Sequence, residues 1–271
     1  MRLRLSNKPT KIGTSFWFGH RPFREKIEEF LGIGFEYFEI ALDFPFPEKN
    51  EELKEVIKES GINPAFHAPL DILLASPREE IFKASMKVLE KCLKFVEKFE
   101  TLYFNFHASH LTSTFLFPEI CEIGIKNLEK AINFAVKIGK NAGFEVCLEN
   151  NTLFGEELIV GDVKITLDLG HFAIEAKRWG KDYIRELIDF CNKYANRILV
   201  MHVHDFSFAS MCDHLPLGKG EIDFKTLKYL LKEKVIPKYV LLEIFWKDTE
   251  NKVFASSFDL KKSFELLKPL I

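Results

Sequence analysis

Glutamine does not occur in this sequence, and none of its five cysteines forms a Cys-x-x-Cys pair. Glutamine is thermolabile, so its absence beside abundant Lys and Glu fits a chain built for heat. An odd cysteine count without paired spacing offers neither a disulfide framework nor the thiol pairs of zinc and redox motifs. Cys92, Cys147 and Cys191 fall in apolar stretches, where small buried thiols belong. Neither charge dominates: 38 Lys and Arg meet 40 Asp and Glu, for a net charge of -2. That removes a global basic field for nucleic acid or an anionic membrane, though not a local patch. No run reaches the roughly 18 apolar residues of a membrane span. The basic start, "MRLRLSNKPT", lacks the apolar segment of a secretory signal. The expected setting is cytoplasmic.

With 47% hydrophobic and 29% charged residues, the chain can build a sizeable core. Its 271 residues lie near the roughly 250 of one (β/α)8 barrel. Short apolar runs predict eight strands, at 12–18, 37–41, 65–67, 101–106, 144–148, 163–167, 198–203 and 239–244. Amphipathic segments lie between them. In 77–99, Ile81, Ala84, Val88, Cys92, Phe95 and Phe99 recur at helical spacing, with Pro77 near the start. A second stripe begins at Pro118 and stops at Gly143. Residues 22–32, 48–60, 181–195, 223–235 and 253–268 complete the expected helices. Alternating strands and helices predict parallel β/α units, and eight of them predict a single α/β domain over 1–271, a closed (β/α)8 TIM barrel. An open doubly wound sheet would carry a Gly-rich first turn; "LGIGFEYF", residues 31–38, has two glycines, and they precede a strand.

The ends of these strands are polar. Glu39 is near the end of the second, His67 ends the third, and His107 ends the fourth with His110 behind it. Glu149 and Asn150 end the fifth, and Asp168, followed by His171, ends the sixth. His202 and His204 end the seventh, Asp213 and His214 follow in its loop, and Glu243 lies in the eighth. All eight histidines follow or end a predicted strand, counting His20 after the first, and none falls in a predicted long helix. In this fold every strand's C-terminal end opens on the face that holds the active site, so these residues would meet in one cup. Taken singly, a His or Glu at a strand end is more often solvated or salt-bridged than a ligand. Invoked at six strands at once, that plain explanation fails; it is kept for His20 and His110.

Imidazoles mixed with carboxylates suit Zn, Mn, Co or Fe(II) rather than Mg or Ca. Glu149, Asp168, His202 and Glu243 could surround one ion. His67 and His107 could hold a second, sharing Glu149, and His171 and His214 could hold a third or bind substrate. A metal with open positions polarises a carbonyl or makes hydroxide. Glu149 and Glu243 on opposite sides of it could take and return a proton beside a bound carbonyl, which is isomerisation or epimerisation. A cluster of two or three ions could instead cleave a phosphodiester.

In order along the chain, "LEN", "LDLGH", "HVHD" and "HLPLGKGEIDF" resemble motifs of the xylose-isomerase-like barrel superfamily, which includes sugar isomerases, epimerases and endonuclease IV. The resemblance implies that Glu149, Asp168, His202 and Glu243 form the shared metal site and that Glu149 and Glu243 are the acid/base pair of the epimerases. It also implies that His67, His107, His171 and His214 match the rest of the nuclease's three-zinc cluster. That nuclease carries Asp-x-His where this chain has Cys212, Asp213 and His214. Cys212 could ligate, Asp213 could shift into place, or the third site could be lost. Leu70 stands where the nuclease inserts an aromatic ring.

The expectation is a metal-dependent isomerase or epimerase of a sugar or polyol-like carbonyl compound, with one to three Mn, Zn or Co ions. Its substrate contacts would come from His171, Lys219 and His204, the last of which alternation would place either behind the ligands or facing substrate; its apolar walls would come from Phe16, Trp17 and Trp246. DNA is a partner only under the nuclease alternative. A non-catalytic metal- or sugar-binding protein is a third reading, and a homodimer is an admissible assembly.

Overall fold

A computed structural model describes residues 9–43, 51–108, 117–150, 159 and 161–271. Eight parallel strands close a barrel: β1 (Lys11–Phe16), β2 (Tyr37–Ala41), β3 (Ala65–His67), β4 (Tyr103–His107), β5 (Glu145–Glu149), β6 (Lys164–Asp168), β7 (Ile198–Val203) and β10 (Tyr239–Leu242). Each strand pairs with its neighbours in sequence order, and β1 pairs with both β2 and β10 to close the ring. The expected TIM barrel is the observed fold. Two hairpins lie outside the ring: β8 (Asp205–Ser207) with β9 (Cys212–Leu215), and β11 (Trp246–Asp248) with β12 (Val253–Phe254).

Strand alternation explains why the strands read as they do. Phe38, Ile40, Phe66, Phe104, Phe106, Val146, Leu148, Met201 and Val203 belong to one large apolar cluster with the surrounding helices. The residues between them point into the barrel. At its lower end these are Tyr37, Ala65, Tyr103, Cys147, Val200, Tyr239 and Leu241, a separate buried cluster. Two residues further along the same strands, the inward positions are Glu39, His67, Asn105, Glu149 and His202, all buried. The barrel interior is thus apolar below and polar at its C-terminal mouth, as a packed barrel with a site on its upper face requires.

Helices α1 (Phe23–Ile33), α2 (Glu51–Glu59), α3 (Glu79–Val96), α4 (Pro118–Ala142), α6 (Tyr183–Tyr194), α7 (Phe224–Tyr229) and α8 (Ser257–Leu267) occupy the expected segments. The expected start of the second segment, 48–50, lies outside the described residues, as does His110. Gly143 does cap α4, at φ 87°. Pro77, however, stands ahead of α3, whose N-cap is Arg78. Residues 98 and 99 leave that helix through turn bonds, Lys98 N–H to Phe95 O and Phe99 N–H to Val96 O. One helix was not foreseen: α5 (Leu169–Arg178) begins directly after β6, and Asp168 caps it by accepting from His171 N–H. His171 therefore lies in a first helical turn, not in a loop. Among the described residues no helix is long and apolar enough to cross a membrane.

Candidate metal centre

Four side chains from β5, β6, β7 and the end of β10 meet at one point. His202 Nδ1 lies 2.9 Å from Glu243 Oε2, 3.2 Å from Glu149 Oε1 and 3.8 Å from Asp168 Oδ2. All four residues are buried, and one donor atom from each lies within 4.8 Å of the others. Beside this group, His67 Nε2 is 3.2 Å from Glu149 Oε2 and His107 Nε2 is 3.3 Å from Glu149 Oε1. A third group joins His171, Asp213 and His214, with the two Nε2 atoms 3.2 Å apart and Asp213 oxygens 3.7 Å from each.

Hydrogen bonds decide which ring nitrogen each histidine offers, because a carbonyl can only accept. His67 Nδ1–H donates to Ala68 O at 2.7 Å, His171 Nδ1–H to Asn150 O at 3.1 Å and His214 Nδ1–H to Glu243 O at 3.0 Å. Each leaves Nε2 for the cup. The facing Nε2 atoms of His171 and His214, with a carboxylate beside them, are tolerable only with a proton or a cation between them.

His204 is different. Its Nδ1 accepts His214 N–H at 2.8 Å, so its Nε2–H is the donor, and it faces both Asp168 oxygens at 2.9 and 3.0 Å. His204 Nδ1 also lies 3.3 Å from Asp205 O. His204 is fully buried beside Asp168 and is not among the described residues that line the cavity. Lys219 is exposed on the loop after β9 and is not among the described residues that line the cavity. Phe16 is core.

The charge pattern suits a cation. Burial opposes ionisation of Glu149, yet His202 and His107 outweigh it and hold its carboxyl well below the ordinary range. Against its own burial, His67 is held up at about 10, chiefly by Glu149. Burial also works against His202, which the Glu149, Glu243 and Glu39 carboxylates lift well above 6.5. His214 is pushed down to about 3 by burial and by His204. Among the described residues, Glu39 Oε2, Asn105 Oδ1, His107 Nε2, Glu149 Oε1, Thr166 Oγ1 and His202 Nε2 are buried without a hydrogen-bond partner. They all belong to inward-facing residues around the polar mouth. Buried orphans of this kind call for an explanation, and an ion is one. Mixed imidazole and carboxylate donors in these groups fit a borderline transition-metal ion.

The spacing departure at 212–214 has a structural answer. Asp205 pairs with Leu215 and Ser207 with Cys212, so β9 carries one more residue than β8 over the same stretch, a bulge. His214 takes φ 57°, and consecutive Asp213 and His214 turn to one point instead of opposite faces. Asp213 thus lies close to His171 and His214. Cys212 Sγ pairs with Ser210 Oγ at 2.9 Å and, among the described residues, joins no candidate ligand group.

Several residues that support the site were not assigned a role from the sequence. Asn105 Nδ2–H donates to Glu149 Oε2. Asn150 holds β6 through Nδ2–H to Asp168 O and by accepting Asp168 N–H. Asp205, fully buried, accepts N–H bonds from Phe206, Gly218, Lys219 and Ile222 and so pins the loop that delivers Asp213 and His214. The signal available was only the Asp after "HVH" and the two glycines of "LGKGEI". Gly220 has to be glycine, since a Cβ there would sit 2.1 Å from Phe206 O.

A cavity of about 520 Å3 opens over this floor. Glu39, His67, His107, Glu149, His171, Asp213, His214 and Glu243 line its polar side, and Trp17, Leu70, Ile72, Phe245, Trp246 and Phe254 its apolar side. Among the described residues Arg178 is the cationic side chain that reaches it.

A closed parallel barrel whose carboxylates and imidazoles converge at the C-terminal mouth defines a class: a (β/α)8 protein with a candidate multinuclear metal centre. The model of the family described as xylose isomerase-like TIM barrel matches residues 27–270, and the chain belongs to that family. An uncharacterized protein of Methanocaldococcus jannaschii is 25% identical over 216 residues, covering 76% of this chain and 80% of that one. A probable endonuclease 4 of Petrotoga mobilis is 27% identical over 252 residues, covering 83% and 84%. The solved D-allulose 3-epimerase of Methylomonas sp. superposes with a TM-score of 0.72 over 97% of this chain and 99% of that one, at 16% identity, a likeness of fold.

Proposed function

We propose that the protein is a divalent-metal-dependent isomerase or epimerase acting on a sugar or small polyhydroxy carbonyl compound. The observation that carries this reading is the disposition of Glu149 and Glu243. Both line the cavity, and both approach His202 Nδ1, at 3.2 and 2.9 Å. Two carboxylates bounding one donor point can act on the two faces of a substrate carbon held between them. One removes a proton and the other returns it. A cation held by Glu149, Asp168, His202 and Glu243 would polarise the substrate carbonyl and acidify the neighbouring C–H. Asn105 and His67 fix Glu149, while His204 fixes Asp168, so the acids need little reorganisation. The apolar wall excludes water from one side. Purified, metal-loaded protein is expected to interconvert at least one member of a ketose and aldose panel. Glu149→Gln and Glu243→Gln should each lower kcat by roughly 10²–10⁴-fold. A panel left unchanged would sink the reading.

A phosphodiesterase on abasic DNA is the second reading. The His67–His107–Glu149 and His171–Asp213–His214 groups favour it, because one ion suffices for the first reading and these could seat two more. Exposed Leu70 at the rim and the scarcity of cations around the cavity weigh against a DNA backbone. Incision of an abasic-site duplex separates the two.

A further inference from the structure

Three of the candidate ligand histidines share one device, and the central one departs from it. His67, His171 and His214 each donate Nδ1–H to a neutral backbone carbonyl and turn Nε2 toward the cup. His202 is reversed: Nδ1 faces the three carboxylates, and Nε2 points away from them. No backbone carbonyl receives Nε2. It lies 3.4 Å from Glu39 Oε2, and among the described residues neither atom has a hydrogen-bond partner. Both residues are buried, His202 at 0% and Glu39 at 2% exposure, with Glu39 at the floor of the cavity. A buried N–H and a buried carboxylate oxygen facing each other at this distance can satisfy one another as a pair, with the Tyr103 hydroxyl as a further partner of the Glu39 carboxylate. Register explains the meeting. Glu39 lies inward on β2, and His202 lies inward on β7, across the barrel interior from it.

We propose that Glu39 is the positioning residue of the central cation site, accepting His202 Nε2–H so that Nδ1 is held toward Glu149, Asp168 and Glu243. The proposal rests on the reading of that group as a cation site. A histidine backed by a carboxylate is a more basic ligand than one backed by a carbonyl. The central group is thereby built to bind its ion more tightly than the two flanking groups, whose His67, His171 and His214 are backed by neutral carbonyls. Glu39 touches the cavity as well, so its rival role is that of a group that itself moves a substrate proton.

The test uses the full chain, chelated and then titrated with Zn(II), in wild type, Glu39→Gln and Glu39→Ala. Equilibrium dialysis reads the affinity of the first ion, and long-range proton–nitrogen spectra read each histidine's tautomer and the exchange of its ring N–H. In wild type, a slowly exchanging His202 Nε2–H is expected both with and without Zn(II), with Nδ1 shifting on binding. Glu39→Gln should weaken the first ion about tenfold and Glu39→Ala up to about 100-fold. The His67, His171 and His214 tautomers should not change. Should the Ala variant fail to fold, the isosteric Gln variant carries the test alone. Wild-type affinity with an unaltered His202 Nε2–H in Glu39→Gln overturns the proposal. So does lost turnover with unchanged Zn(II) affinity, which would make Glu39 the proton carrier. A wild-type chain that binds no cation sinks the functional reading instead, and fast exchange of its His202 Nε2–H would show that the Glu39 bond is absent too.

Discussion

Glu149 is the residue on which most of the site depends. His67, His107, Asn105 and His202 all approach its carboxylate, with His171 Nδ1 4.0 Å away. Without a cation, protons supply the positive charge, which gives the chelated protein a defined pH response. His67 is raised from 6.5 to about 10, so its contribution to stability is whole below pH 6.5 and is lost as pH rises toward 10. His214 is lowered from 6.5 to about 3, so its contribution is whole above pH 6.5 and is lost as pH falls toward 3. The melting temperature of chelated protein should therefore peak near pH 6.5 and fall on both sides, as circular-dichroism melts would register. A plateau from about pH 4 to about pH 9 would contradict the charge assignment. Cation affinity should rise with pH over the same range, because bound ions displace those protons.

The elements that aim these residues were legible to different degrees. β2, β3 and β7 carry the bounds expected from their apolar runs, because a strand buried on both faces reads as a continuous hydrophobic block with a polar end. The hairpins β8–β9 and β11–β12 were not legible: their strands are short, and β9 carries its own bulge. α5 was missed because Asp168 serves both as the last residue of β6 and as a helix cap, with no loop between. That Asp213 and not Cys212 lies beside His171 and His214 was likewise hidden, since it goes with a positive φ at His214. Asp205 is the linchpin of this loop. Asp205→Ala should cost roughly 2–5 kcal/mol in denaturant melts, because it strands four backbone donors. It should also remove the ion of the His171–Asp213–His214 group while sparing the central one. Gly170→Ala is a subtler probe. Its Cβ would sit 2.0 Å from the His204 ring, displacing the partner of Asp168 and weakening the central ion with little change in the barrel. An unchanged affinity in that variant would leave His204 a packing residue.

At the scale of the whole molecule, the near balance of charges and the family membership leave the field of the cup, and not of the surface, to select the ligand. Small-molecule chemistry and DNA incision differ most plainly in how many ions they use. Both require that acids and imidazoles from β5, β6, β7 and β10 hold a cation jointly, and the most direct measurement is metal identity and stoichiometry on chelator-free protein, with Asp168→Asn alongside. One tightly held Mn, Zn or Co per wild-type chain is expected, with up to two more if the flanking groups also fill, and substoichiometric metal in the variant. Wild-type protein carrying no stoichiometric metal, or a variant that keeps its full complement, would contradict it.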